Sequence, residues 1–174
     1  MFDQTIQETA HWADTAQRGD VVLFKFPVRQ AGDGDSPKIR PCLVLEIDNH
    51  FGQTRLTLAF GTSVPESKNR GYEIPVTHTD DVRAAGLKRA TRFVGARLIS
   101  VAPTNPGFDV GGTTGSPIIG RLPANRLDRM NDVRARLHAE HDLAAERRRR
   151  RHREAPTVER RRRKILAHQP SSAA

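Results

Sequence analysis

An arginine, two hydroxyls and a carboxylate stand where apolar segments of this sequence begin and end. Arg40 opens one such segment, Thr62 and Ser63 close the next, and Asp35 lies in the loop before them. Arginine binds two phosphate oxygens as a fork, and a hydroxyl can donate to a third oxygen. A carboxylate can accept the proton of a ribose 2′-hydroxyl. The set therefore suits a phosphate site, while an Arg–Asp surface pair beside a capping threonine is the structural alternative.

The elements around these residues decide whether they meet. Apolar residues at 40–47 and 55–62 flank a turn predicted at 48–52, which is typical of a β-hairpin. In that hairpin residue 40 lies opposite residue 62. The pairing therefore predicts that Arg40 and Thr62 share one end of the sheet.

Other catalytic arrangements lack the partners they need. Cys42 lies in an apolar run and is predicted to be buried rather than reactive. His138 and His141 lack the further ligands that a zinc site requires. The glycine-rich segment 111–116 lacks the lysine of a phosphate-binding loop. The sequence thus predicts no metal and no other cofactor.

Short apolar segments between Gly, Pro and polar turns predict five or six strands. These segments are 21–26, 42–47, 55–60, 72–76, 91–101 and 117–122. Residues 3–17 are predicted to form a short helix, and residues 79–86 a turn or one-turn helix capped by Thr79.

After Pro123 the apolar period changes from 2 to 3.6. Leu127, Met130 and Leu137 recur at helical spacing, with Val133 or Arg134 between them. The resulting helix is predicted to run into an arginine block and to stop near Pro156. The predicted fold class is mainly β, a small twisted sheet or barrel with one long C-terminal helix packed on it.

The charge is concentrated at the C-terminal end. Residues 144–174 contain eleven basic and three acidic residues, which is +8 of the formal +9 of the chain. Such a block is a solvated tail, an element that attracts RNA, or a docking arm for a protein partner. The candidate RNA-binding residues in it are Arg147, Arg148, Arg149, Arg150 and Arg151.

Length and composition bound the remaining classes. A chain of 174 residues with 36% hydrophobic residues suits one domain and an appendage. No apolar run approaches the ~20 residues that a membrane-spanning helix needs. The first residues lack the pattern of a secretory signal, and one cysteine excludes an internal disulfide framework. We therefore expect a cytoplasmic protein.

The order of these segments resembles the MazF/PemK family of toxin ribonucleases from bacterial toxin–antitoxin pairs. The similar segments are 18–26, 38–45, 61–63 and 119–122, followed by the helix. The resemblance implies an SH3-like barrel of the MazF/CcdB kind and a homodimer. It also implies cleavage of single-stranded RNA without a metal, leaving a 2′,3′-cyclic phosphate and a 5′-hydroxyl.

Residue by residue, the resemblance assigns Arg40 and Thr62 as the catalytic arginine and threonine and Asp35 as the base. Arg40 would stabilise the charged phosphorane, and Thr62 would hold a non-bridging oxygen. The family often has a serine shortly after a leucine near the sixth strand. Thr91 either substitutes for it here, or the contact is absent.

The resemblance predicts three parts: an N-terminal extension at 1–17, a barrel with its helix at 18–143, and an arginine-rich tail at 144–174. It implies a toxin that inhibits growth unless a cognate antitoxin protein neutralises it. The alternative is a non-catalytic nucleic-acid-binding module, or a protein poison of the CcdB type, on the same barrel. Fold alone does not separate these functions.

Overall fold

The computed structural model describes residues 12–27, 37–50, 52–65, 69–110 and 115–154. The strands are β1 Asp20–Lys25, β2 Ile39–His50, β3 Gln53–Thr62, β4 Glu73–Val76, β5 Thr91–Val101 and β6 Ile118–Arg121. The helices are α1 Thr79–Ala84 and α2 Ala124–Glu154. The chain divides into two compact units, Met1–Glu140 and His141–Ala174.

The six strands form one curled, half-barrel sheet in the order β4-β5-β3-β2-β1-β6. Every pairing between neighbours is antiparallel. The register shifts within three of the pairings, and such irregularities bend a strand and increase its twist. The prediction of a mainly β fold with a C-terminal helix is therefore confirmed.

The central hairpin has the predicted register at the end where the candidate site lies. Cys42 pairs with Phe60 and Val44 with Leu58, which is the pairing that places residue 40 opposite residue 62. At the other end the prediction is wrong, because pairing continues to His50 and Gln53 instead of stopping at a turn over 48–52. Backbone hydrogen bonds extend the ladder through polar residues there, because they do not depend on side-chain polarity.

Each face of the sheet carries its own core. One cluster contains Phe24 and Phe60, together with Trp12, whose ring lies 4.9 Å from that of Phe108. The other contains Val21 and Leu43. Successive strand residues alternate between the clusters, as the two-residue period of a strand requires. Of the helix predicted over 3–17, only 12–17 fall within the described residues, and 12–15 are helical.

Helix α2 packs on the second cluster through its predicted apolar stripe. Met130 and Val133 are buried, while Leu127 and Leu137 are partly buried. This confirms the stripe that the helical spacing predicts. Arg134 takes a separate role beside Val133, since it pairs with a carboxylate.

That carboxylate, Glu46, anchors α2 to the sheet. Its two oxygens accept bonds of 2.6 and 2.8 Å from Arg134, and His138 Nε2 lies 3.0 Å from Oε1. Burial alone would raise the pKa of Glu46, but the hydrogen bonds from Arg134 and His138 lower it below its ordinary value. Arg126 makes a similar pair with Asp81 at 2.8 Å.

Helix α1 closes the sheet edge near the candidate site. A Cβ at Gly86 would lie 1.9 Å from the carbonyl oxygen of Ile119 in β6. Only glycine allows this approach, and its φ of +65° also favours glycine. The predicted cap at Thr79 is wrong: the N-cap is His78, and no side chain makes a capping hydrogen bond.

In the second unit the described residues continue α2 from His141 to Glu154, two residues before Pro156. The predicted continuation of the helix into the arginine block is confirmed as far as Glu154, while the predicted stop near Pro156 lies outside the described residues. Arg147 to Arg151 are all exposed on it. No helix in the described ranges is long and apolar enough to cross a membrane.

Candidate active site

The predicted site lies where β2 begins and β3 ends. Arg40 and Thr62 both line a groove of about 660 Å³ at this end of the sheet. Between them Gly61 lies against the β2 backbone, because a Cβ there would be 2.1 Å from the carbonyl oxygen of Pro41. The two strand ends are thus held side by side by a contact that no larger residue permits.

Arg40 is half-buried and poorly satisfied by its surroundings. Its guanidinium carbon lies 5.5 Å from the ring centroid of Phe60. Its Nε is buried and has no hydrogen-bond partner in the described part of the chain. The side chain lines the groove and carries a permanent positive charge, so it is suited to bind an anion there.

Two hydroxyls stand beside this arginine. Thr62 Oγ1 accepts a 3.1 Å hydrogen bond from the amide of Val64, which orients its side chain. A hydroxyl has one hydrogen to donate besides its acceptor pairs, so Thr62 keeps a donor for a ligand oxygen. Ser63 is exposed and also lines the groove. The structure thus brings three of the predicted residues together.

The groove also contains two cations that the sequence did not predict. Lys88 and Arg89 line it from the turn between α1 and β5. The available signal was a pair of adjacent cations between Gly86 and a strand, which by itself does not show what the turn faces. Thr91, considered above as a substrate contact, also lines the groove, but its hydroxyl donates to the carbonyl of Arg89 at 3.0 Å.

The carboxylate expected at Asp35 lies outside the described residues. Asp109 supplies the one carboxylate in the described part of the lining. Its backbone amide donates a hydrogen bond to the carbonyl of Leu23 at 3.0 Å. Three cationic side chains and one carboxylate thus line the groove in its described part. This excess of positive charge favours an anionic ligand.

Comparison with known proteins does not identify a family for the chain. It matches no protein-family model, and no curated protein is significantly similar to it. The geometry of the groove, with the sequence resemblance, is therefore the basis for assigning a function.

Cys42 lies beneath this site and is buried, as predicted. Desolvation raises the pKa of its thiol to about 12, against smaller opposite effects of the Gly61 backbone and the Arg40 charge. A thiol with this pKa is protonated at neutral pH and is a poor nucleophile. Cys42 therefore contributes packing below Arg40 rather than chemistry.

The histidines and a metal site are the other candidates for catalytic groups in this chain. His138 binds Glu46 on the helix-docking side, and the exposed His141 is also on α2. His78 caps α1. Among the described residues, no group of three or more His, Cys, Asp or Glu side chains is placed to hold a metal ion.

Proposed function

We propose that this protein is a metal-independent endoribonuclease of the MazF/PemK kind, acting on single-stranded RNA. The observation that carries the proposal is the meeting of Arg40 and Thr62 in a groove whose described lining has three cations and one carboxylate. An SH3-like barrel is part of the proposal. The curled antiparallel sheet, with a helix packed on one face, supports it.

The reaction would be an internal transesterification. The ribose 2′-oxygen attacks the adjacent phosphorus, the bond from phosphorus to the 5′-oxygen breaks, and a 2′,3′-cyclic phosphate remains. Arg40 would bind two oxygens of the phosphorane, and Thr62 would donate to a non-bridging oxygen. Donors aimed at developing charge usually make the largest catalytic contribution.

Two proton transfers complete the balance. A carboxylate takes the proton of the 2′-hydroxyl, and the resemblance gives this role to Asp35. The leaving 5′-oxygen receives a proton, for which the resemblance makes Arg40 the donor. Because the groove contains Lys88 and Arg89 as well, charge neutralisation needs no metal ion.

The biological setting belongs to the same proposal. We propose a cytoplasmic toxin that acts as a homodimer and that a cognate antitoxin protein neutralises. The exposed residues Arg147 to Arg151 would raise affinity for RNA through their charge.

The test is incubation of the purified chain with a defined single-stranded RNA in EDTA, followed by analysis of the product ends. We expect a 2′,3′-cyclic phosphate and a 5′-hydroxyl, and no cleavage where the 2′-hydroxyl is replaced by hydrogen. Arg40→Ala should lower the rate by at least about 100-fold, the usual loss on removing a transition-state donor. Its melting temperature should stay close to that of the wild type.

The matched control is Arg55→Ala. Arg55 is an exposed arginine on β3 that bonds to Ser100 and does not line the groove. Its loss should leave cleavage unchanged. An Arg40→Ala variant that cleaves at the wild-type rate would contradict the proposed mechanism. RNA binding by the wild type without any cleavage would instead favour the non-catalytic binding module.

A further inference from the structure

The groove is lined by polar groups from two separate segments of the chain and by apolar side chains. Arg40 and Thr62 come from the start of β2 and the end of β3, and Lys88 and Arg89 from the turn before β5. The apolar part of the lining, called the floor below, includes the side chains of Leu23, Pro41, Leu87 and Ile119. Its volume of about 660 Å³ falls within the range of pockets that enclose small organic ligands, about 300–1,000 Å³.

We infer that this groove holds one unstacked nucleotide together with both of the phosphates that flank it. The reacting phosphate binds at Arg40 and Thr62, the base lies on the apolar floor, and the neighbouring phosphate binds at Lys88 and Arg89. The identity of the ligand as a single strand rests on the proposed function. The two-phosphate arrangement rests on two sets of polar residues, from separate segments, lining the same groove.

The turn that carries Lys88 and Arg89 is fixed at its start. The amide of Leu87 donates to the carbonyl of Val82 at 2.9 Å, and that of Gly86 to Arg83 at 3.0 Å. With Gly86 at φ +65°, these two bonds form a Schellman end to α1. Leu87, which follows Gly86, is buried, and its burial fixes the direction in which the chain leaves the helix.

The same turn is also fixed at its end. Thr91 is buried as the first residue of β5, where it pairs with Val76. Its hydroxyl holds the carbonyl of Arg89. Only residues 88–90 lie between the two anchors, so the cations stand on a short, constrained segment. Cations held this way lose less conformational entropy when they bind an anion.

Lys88 and Arg89 have no ion pair or hydrogen bond in the described part of the chain that would neutralise them. Other arginines of this unit are engaged, as Arg126 and Arg134 are with Asp81 and Glu46. Two adjacent unpaired cations facing a groove repel each other, and an anion relieves that repulsion. Because Lys88 and Arg89 also line the groove, they are available to bind a phosphate there.

A base bound on the floor also restricts the ligand to single-stranded nucleic acid. It can reach Leu23 and Ile119 only when it is out of a double helix, since a paired base is stacked on both sides. Single-strand recognition generally uses such splayed bases. The groove should therefore take single-stranded and not duplex ligands.

The test measures binding of uncleavable 2′-deoxy dithymidylates to the full chain. The probes are the dinucleotide with one internal phosphate and the same dinucleotide with a second phosphate at its 5′ or 3′ end. We expect one of the two-phosphate probes to bind about tenfold more tightly. Lys88→Gln with Arg89→Gln should abolish this difference and flatten the salt dependence by about 0.7 per lost contact.

Arg83→Gln is the matched control, because Arg83 is an exposed cation on α1, pairs with Asp80 and does not line the groove. It should keep the preference, as should Lys88→Arg with Arg89→Lys. The inference is overturned if the wild type does not prefer either two-phosphate probe, or if the double Gln variant keeps the preference. RNA cleavage without the preference refutes this inference alone, whereas the preference without RNA cleavage refutes only the nuclease.

Discussion

In the groove, Arg40 lies half-buried between two paired strand ends, with Gly61 and Pro41 in backbone contact beside it. In the arginine-rich end of α2, Arg147 to Arg151 occupy consecutive positions and all are exposed. An α-helix turns by about 100° per residue, so five consecutive side chains point around the whole circumference. One region holds few cations in a fixed geometry, and the other holds many without a common direction.

Arginine therefore serves two purposes in this protein. A guanidinium fixed beside a hydroxyl can match the geometry of one phosphate and stabilise charge that develops there. Cations around an exposed helix meet whichever phosphates come near, and such contacts carry no base information directly. We therefore expect the groove to determine chemistry and the arginine-rich end to determine affinity.

The largest expected effect comes from breaking the geometry of the groove without changing its charge. Gly61→Ala places a Cβ about 2.1 Å from the carbonyl oxygen of Pro41, which a side-chain rotation does not relieve. We expect cleavage to fall about 100-fold, the cost of a misplacement near 1 Å. Urea unfolding should show a loss of about 1–3 kcal/mol, as for an overpacked core.

Gly52→Asn is the control for this change. Gly52 lies in the β2–β3 turn at φ +78°, and nothing lies within 4 Å of a Cβ placed there. Asparagine tolerates such a φ better than other residues with a side chain. This variant should keep both stability and cleavage, and wild-type cleavage by Gly61→Ala would show that the strand-end contact does not position the site.

Replacing Arg147 to Arg151 tests the other half of the comparison. Changing all five to Gln should weaken RNA binding and flatten its salt dependence by up to about 3.5, at about 0.7 per phosphate contact. Changing all five to Lys should retain most of the RNA binding, because the positive charge matters there more than the two-donor geometry of the guanidinium. Arg40→Lys, in contrast, should lose cleavage, because that two-donor geometry is needed at the phosphate.

Filter binding from low to high salt, on several RNA sequences, measures these outcomes. Affinity should fall evenly across the sequences, and the cleavage positions should not move. Unchanged affinity in the Gln variant would make the arginine-rich end a solvated surface or a protein-docking arm. Altered cleavage positions would mean that it reads bases.

Glu46→Gln is expected to have the smallest effect, on stability alone. At pH 7 it should cost about 1–2 kcal/mol, because Arg134 and His138 lose a charged partner. The folded-state pKa of Glu46 is lowered from 4.5, so its contribution is present above that pH and is lost as the pH falls through the folded-state pKa.

Urea unfolding of the wild type and the variant at pH 7 and pH 3 checks this sign. The stability gap, which is the difference in unfolding free energy between the wild type and Glu46→Gln, should be larger at pH 7 than at pH 3. Asp81, whose pKa the Arg126 hydrogen bond lowers, also makes the wild type less stable in acid, so only the gap reports on Glu46. A gap that does not change with pH would mean that the ion pair contributes little.

Most strands could be predicted because their side chains report burial directly. The strand Thr91–Val101 has its predicted bounds, and the Met130–Val133 side of α2 was visible as a helical stripe. The hairpin register near the candidate site was predictable as well, since a shift by one residue there would turn the apolar side chains to the wrong face. That register is why Arg40 and Thr62 were found together. The irregularity between Val44 and Glu46, which shifts the pairing by one residue toward the turn, was not predicted.

The β content, the C-terminal helix and three residues of the candidate site were thus predictable from the sequence, because each follows from periodicity or local pairing. That Lys88 and Arg89 line the same groove as Arg40 is visible only in the folded chain. That arrangement depends on the curl of the sheet and on the contact of Gly86 with Ile119, which join segments distant in sequence. No local pattern encodes such a contact, since it depends on how all six strands twist together.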